Sequence, residues 1–235
     1  MLRFSTMITE QPRILEADIN PLLIAENQLL ALDARFVIAP PSNAATRPYS
    51  HLAIRPYPSE FETRFRLEDG AEISLRPIRP EDETSWRAML QRCSPESLQS
   101  RFRTVFKEAT HEMATRFCFL DYDRELAFVA QETVGEKMPD VDAPILGVGR
   151  LVTDADRHVA EFAILVEDAW QGRGLGLEIA THCMKVAKDW GVGRVVAETR
   201  VDELRMRGIL GSLGFAMHEP DHEGTLLAEK EIAER

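Results

Sequence analysis

Six residues, Gln171-Gly172-Arg173-Gly174-Leu175-Gly176, lie between an apolar, strand-like run and a stretch of helical periodicity. A strand that passes through glycines into a helix presents backbone N–H groups at the positive end of the helix dipole, where an anion is stabilised. Glycines also allow positive φ and let a phosphate approach the backbone closely. Arg173 adds a charge. The arrangement predicts a site for a phosphate or pyrophosphate; a tight connection with no ligand is the plainer alternative. A Walker A loop needs Gly-Lys followed by Ser or Thr, whereas these glycines run into Leu177 and Glu178. A dinucleotide fingerprint needs G-x-G-x-x-G, which glycines at 172, 174 and 176 do not supply.

Two carboxylates stand in strand-like runs on either side of this loop. Glu161 interrupts VAEFAILV and Glu198 interrupts VVAETR. A carboxylate in an apolar run is costly to bury unless it is paired, hydrated or used, which makes both candidates for acid–base work. The plainer reading of Glu161 is a side chain that ends a core face and meets solvent or an arginine. Asp121, Asp123, Arg124 and Glu125 form a charged cluster that predicts either an ion network or solvated turn charges.

Other chemistries are disfavoured. The three cysteines, Cys93, Cys118 and Cys183, are widely spaced with no CxxC pair, so neither disulfides nor a zinc site is expected. Cys183 falls on the apolar face of a helix and reads as core. His218 and His222 sit in an acidic turn, EPDHEG, without further ligands, and no metal is expected. A net charge of -11 disfavours nucleic-acid binding, which needs clustered cations, and mildly favours a cationic partner. No apolar run approaches the ~18 residues that cross a bilayer. The first residues lack the pattern of a secretion signal, so a cytoplasmic protein is expected.

The elements that must position these groups follow from periodicity and punctuation. Near the N-terminus, 14–24 and 29–38 predict two strands joined by a turn at Glu26-Asn27, followed by a Pro-, Ser- and Ala-rich linker. A strand at 73–75 ends at prolines, and Pro80-Glu81-Asp82-Glu83 starts a helix running to about residue 92. Two shorter helices, 95–102 and 110–119, precede strands at 126–132, 145–153 and 159–166. A helix from 174 to 190 follows, then a strand at 194–201, a short helix at 203–213 and a strand at 225–232. This order describes a mixed α/β layer, not a doubly wound repeat.

On these residues a family resemblance can be stated. AEFAILVEDAWQGRGLGLEIA, with its Q-x-x-G-x-G loop, resembles the central strand, pyrophosphate loop and helix of GNAT acetyltransferases. LRPIRPEDE (75–83), SPES (94–97), DYDRELAFVA (121–130) and SLGF (212–215) resemble, more closely still, the bacterial Pat-type protein lysine acetyltransferases. The resemblance implies a GNAT fold of α/β (α+β) type, with a mixed, mostly antiparallel sheet flanked by helices. It implies acetyl-CoA as co-substrate and a protein lysine as acceptor, such as one on an acyl-CoA synthetase, with direct transfer. Acetylation of a small amine, and a CoA-binding sensor without turnover, are the alternatives.

Within that family pattern, Glu161 takes the place of the general base, while Glu198 positions the amine or relays its proton. Ile164, Leu165 and Val166 flank the pantetheine and acetyl groups, and residues 171–176 hold the pyrophosphate. The chain departs from the pattern at Glu203, where the family has an Asn, and in lacking a helix tyrosine to protonate the thiolate. Finally, EADINPLLIAENQLLALDAR resembles the end of the ATP-grasp part of NDP-forming acyl-CoA synthetases. The phosphate loops of a complete ATP site are absent, so neither ATP hydrolysis nor magnesium at Asp18-Ile19-Asn20-Pro21 is expected. The implied organisation is a small β-rich ATP-grasp-like segment at 1–40, a linker at 41–60 and the GNAT domain at 61–235.

Overall fold

The computed structural model describes residues 2–25, 28–41, 49, 51–52, 54–103, 108–133, 135, 139–140 and 142–232. Internal packing divides the chain into two units, residues 1–56 and 57–235. The first opens with a helix the sequence did not announce, α1 (Leu2–Glu10). The two strands expected after it are four: β1 (Ile14–Asp18), β2 (Leu22–Ala25), β3 (Gln28–Ala31) and β4 (Arg35–Ile38). β2 pairs with β3, and β1 pairs with β4 from Ile14↔Ile38 to Asp18↔Arg35. Pro21, which cannot donate to a ladder, separates β1 from β2. The turn expected at Glu26-Asn27 lies outside the described residues, as does much of the linker. Leu22, Ile24, Leu29, Leu30 and Leu32 of these hairpins are exposed.

The second unit is built on one eight-stranded sheet. Its elements are β5 (Thr63–Arg66), β6 (Glu72–Pro77), α2 (Glu83–Arg92), α3 (Pro95–Phe102), α4 (His111–Cys118), β7 (Glu125–Glu132), β8 (Ile145–Thr153) and β9 (Val159–Val166). There follow α5 (Leu175–Trp190), β10 (Arg194–Arg200), α6 (Leu204–Ser212), β11 (Ala216–Met217) and β12 (Thr225–Glu231). The strand order is β11-β12-β10-β9-β8-β7-β6-β5, antiparallel throughout except where β9 meets β10. β5 and β11 went unread for a simple reason. TRFR carries a single apolar side chain, and a two-residue strand has no period to detect.

Caps fix where the helices begin. The Ser94 hydroxyl accepts the Ser97 N–H at 3.2 Å to open α3, and Thr110 does the same for Met113 at 3.2 Å to open α4. Each sheet face carries its own core. Phe162, Ala160, Val195 and Ala197 pack with Ile179, Cys183 and Leu210 of α5 and α6, whereas Leu165 and Ala127 pack with Trp86, Met89 and Cys118 of α2 and α4. α5 lies so close to β8 that a Cβ at Gly149 would stand 2.4 Å from Ile179 Cγ2. Only glycine permits that approach.

The acids read as first-turn helix residues include one with a larger task. Asp82 is fully buried and takes both Arg76 nitrogens, Nη1 at 2.7 Å and Nη2 at 2.6 Å. Arg76 Nε donates to Gln131 Oε1 at 3.1 Å, so β6, β7 and the start of α2 are joined by one satisfied ion pair. The acidic cluster at 121–125 forms ion pairs, one with the turn between β8 and β9 and one within the sheet. Asp123 bonds Arg157 at 2.7 Å and Glu125 pairs with Arg150 of β8. Links reach helices as well: Arg150 Nη2 donates to the Arg116 carbonyl of α4 at 3.3 Å, and Arg157 Nη1 to the Trp190 carbonyl of α5 at 3.2 Å.

Candidate active site

β9 and β10 run parallel for only three pairs, ending at Val196↔Glu161. Beyond that point β9 keeps its partner β8 as far as Val166↔Gly147, while β10 keeps β12 as far as Arg200↔Thr225. The two strands therefore part, and the β10-facing backbone of residues 162–166 is left without a strand partner. A cleft of about 510 Å³ opens in the gap. Its walls come from β9 (residues 163–166), β10 (Glu198, Thr199), the loop at 171–174, the start of α5, and both α3 and α6.

The loop enters the cleft in the geometry expected for an anion site. Gly172 and Gly174 have φ of +75° and +87°, and Gly174 serves as N-cap of α5 with no side-chain cap. Leu177 N donates to the Gly174 carbonyl at 3.0 Å, whereas the N–H groups of Leu175 and Gly176 have no side-chain cap among the described residues. A Cβ at Gly172 or Gly174 would meet nothing within 4 Å, so these glycines are needed for backbone conformation, not for space.

Gln171 braces this loop from inside. Its Nε2 donates to the Val166 carbonyl at 2.9 Å and to Ser97 Oγ at 3.0 Å, and its Oε1 accepts from Arg205 of α6. Asp168 ties the same loop to α3, accepting from Ser94 N at 2.8 Å, Ser94 Oγ at 2.8 Å and Ser97 Oγ at 3.1 Å. Partial burial would raise the Asp168 pKa, but the Ser94 and Ser97 hydrogen bonds prevail and hold it below the usual carboxylate range. Arg173, expected to offer its charge to a phosphate, is already engaged. Its Nε bonds Asp69 Oδ2 at 2.6 Å, and its guanidinium lies 3.8 Å from the Trp170 ring centroid. That hydrogen bond is the main reason the Asp69 pKa is lowered.

The two carboxylates share one sheet face. Glu161 and Val196 are register partners, and Glu198 lies two residues farther along β10. Glu198 lines the cleft; Glu161, exposed beside its apex, is not in the wall. Glu198 Oε2 pairs with Arg103 Nη2 at 3.0 Å, and Arg103 Nη1 also donates to Thr225 Oγ1 at 3.1 Å. The Arg101 guanidinium lines the cleft over Phe102 at 5.0 Å; burial lowers its pKa, and the nearby charge of Glu161 opposes that shift.

Of the remaining predicted residues, Ile164 and Val166 point toward α5, and Leu165 is turned into the opposite core. Leu175 is buried at the first turn of α5, and Gly176 lies in the cleft wall. Glu203 also lines the cleft, together with Arg205 and Met206 of α6. Arg103, Asp168 and Thr199 escaped sequence reasoning. Ser94 and Ser97 entered the sequence reading only through the resemblance of SPES (94–97), which carried no bond to Asp168.

The thiols are poorly suited to nucleophilic work. Burial, aided by Asp168 and Glu167, pushes Cys93 up to about 12, and burial does the same to Cys118, with help from Asp82 and Glu83. Cys183 is fully buried and is raised further. A thiolate is the reactive species, so all three are disfavoured as acyl carriers. Among the described residues no group of His, Cys, Asp or Glu could hold a metal, and no helix is long and apolar enough to cross a membrane.

A sheet that parts beside a glycine-opened helix, with carboxylates on one face of the gap, defines an acyltransferase of the GNAT type. Residues 84–215 match the family model described as acetyltransferase (GNAT) family, and the chain belongs to that family; it is an N-acetyltransferase. Residues 1–38 match the ATP-grasp domain. The acetyltransferase PA5475 of Pseudomonas aeruginosa is 28% identical over 156 residues, covering 66% of this chain and 81% of that protein. The acetyltransferase Pat of Mycolicibacterium smegmatis is 27% identical over 168 residues, 71% of this chain. The match spans about half, 48%, of that Pat's length. Among solved structures, the GNAT domain of S. lividans PAT superposes with a TM-score of 0.66 at 24% identity, covering 75% of this chain and 99% of that one.

Proposed function

We propose that the cleft binds acetyl-CoA and that the enzyme transfers the acetyl group directly to a protein lysine, with Glu161 as general base. The observation that carries this reading is the parting of β9 and β10. It puts the uncapped start of α5 on one side of a single cleft and brings Glu161 and Glu198 to the other face of the sheet. The pyrophosphate sits on the loop at 171–176, chiefly on backbone N–H groups, because the Arg173 charge is shared with Asp69. The pantetheine arm runs along residues 164–166, in place of the strand partner that β10 no longer supplies there.

The chemistry follows from the amine. A lysine of pKa about 10.4 is neutral in roughly one molecule in 2,500 at pH 7, a cost of about 4.6 kcal/mol. Glu161, directly or through a water, takes the proton as nitrogen attacks the thioester carbon. Charge develops on the carbonyl oxygen, where a backbone N–H of β9 stabilises it, and the C–S bond then breaks to release CoA thiolate. Glu198, held by Arg103, orients the incoming ammonium group.

The acceptor is a lysine on a folded protein of the acyl-CoA synthetase kind. The Pat relatives and the ATP-grasp match at residues 1–38 support this reading. In the same proposal residues 1–40 are a segment without ATP chemistry of its own, 41–60 a linker and 61–235 the catalytic domain. A second reading exchanges the carboxylates and makes Glu198 the base, because Glu198 lines the cleft and Glu161 does not.

Thiol release with acetyl-CoA and a lysine-bearing acyl-CoA synthetase separates these readings. Glu161→Gln is expected to lower kcat about 10²- to 10⁴-fold with acetyl-CoA binding intact, and Glu198→Gln to raise the acceptor KM. The reverse pattern makes Glu198 the base. Turnover with a polyamine but none with the protein overturns the lysine assignment.

A further inference from the structure

Buried polar atoms without a partner are expensive, and one of them belongs to a residue that lines the cleft. Thr199 is 5% exposed, and its Oγ1 has no hydrogen-bond partner among the described residues. Among the described residues, the other buried side-chain atoms without a hydrogen bond or ion pair belong to His51, Thr133, Arg150, His182 and Arg207, none of which lines the cleft. Among those residues, only Thr199 combines both properties.

Its place in the sheet says which side of the cleft it serves. Thr199 pairs with Leu226 of β12, and Ala197 with Ala228, so Thr199 shares the face of β10 that packs toward α5 and α6. Glu198, the next residue back, turns to the opposite face and bonds Arg103. The two neighbours therefore divide the cleft. Glu198 looks toward the acceptor side, and Thr199 looks toward the side shared with Gly176, Met206 and Ile209.

A hydroxyl that is both donor and acceptor, set beside Gly176, Met206 and Ile209, suits an amide-bearing chain passing along that wall. An apolar side chain of the same shape, such as valine, would fill the position without leaving a polar atom to satisfy. We infer that the Thr199 hydroxyl is a binding contact for an amide of the pantetheine arm, an otherwise unassigned donor-side anchor. The inference rests on the reading of the cleft as an acetyl-CoA site. It assigns no proton transfer to Thr199: the hydroxyl holds the arm, and through it the thioester, in register with residues 164–166.

The contact has a signature that a structural role cannot imitate, because stability and affinity move in opposite directions. In the free protein Thr199→Val removes a buried, unpartnered hydroxyl, so the melting temperature is expected to hold or to rise by about 2–4 °C. Calorimetric titration with CoA and with acetyl-CoA is expected to give a Kd about five- to tenfold weaker than wild type for both ligands. Thr199→Ser, which keeps the hydroxyl, is expected to bind within about twofold of wild type, whatever it loses in packing. Unchanged Kd in Thr199→Val overturns the contact, as does a fall in melting temperature that accompanies the loss of affinity. Failure of the wild type itself to bind acetyl-CoA overturns the donor reading and this inference with it, whereas wild-type binding with an unaffected valine variant removes only the inference.

Discussion

At the scale of single residues, the cleft depends on side chains whose partners lie far away in sequence. Asp168 accepts three hydrogen bonds from Ser94 and Ser97, more than 70 positions earlier. Its folded pKa is depressed despite partial burial, because those donors favour the ionised form. The linkage has a definite sign. A carboxyl whose pKa is lower in the folded state adds stability above its unfolded value, near 4, and loses it as pH falls through the folded pKa. Urea midpoints for wild type and Asp168→Asn are therefore expected to differ at pH 7 and to converge as pH falls below about 4. Midpoints that stay parallel would remove Asp168 from the account of acid sensitivity. The same bonds tie α3 to the loop that begins α5, so acid is expected to loosen the cleft rim first.

At the scale of elements, the relation of α5 to the sheet decides where the anion site falls. The glycines of β8 let the helix approach until Ile179 and Cys183 lie over the strand. Gly149→Ala would place a methyl 2.4 Å from Ile179 Cγ2 and 3.0 Å from Cys183 Sγ, with buried atoms on every side. Overpacking of this kind costs about 1–3 kcal/mol, and α5 must tilt or shift to relieve it. Denaturant titration is expected to show that loss, and acetyl-CoA affinity to fall with it, since the phosphate loop moves with α5. A variant with wild-type stability would mean that α5 is less tightly seated than the contacts indicate. The helices and central strands of the second unit were legible from periodicity, first-turn acids and prolines, several with the same ends. The N-terminal strands were not, because pairing of β1 with β4 around β2 and β3 is a nonlocal choice that an alternation pattern cannot express.

At the scale of the whole second unit, the Arg76–Asp82 pair joins the half of the sheet away from the cleft to the helices that cover it. Both side chains are almost wholly buried, at 1% and 0% exposure, and each donor or acceptor has a partner. Removing one member leaves the other charge buried alone, which costs about 3–5 kcal/mol. Asp82→Ala is therefore expected to lower stability by that amount in denaturant titration, and a loss under about 1 kcal/mol would show that water reaches Arg76. Nothing in the sequence distinguished Asp82 from Glu81 and Glu83, its neighbours in an acidic helix start. Burial alone separates them.

The loop, the helix it opens and the strand before it are legible in the chain alone, because they are local consequences of glycine conformational freedom and apolar periodicity. The sequence also marked Glu161 and Glu198 as unusual, since a charge in an apolar run is visible without coordinates. It took the folded sheet to show that β9 and β10 part after three pairs, that Glu198 lines the cleft while Glu161 stands outside its wall, and that Asp69 claims Arg173. Folding alone left the Thr199 hydroxyl buried without a partner. Those outcomes depend on which distant groups meet across a sheet, and burial and pairing are properties of the assembled core, not of any segment of the chain.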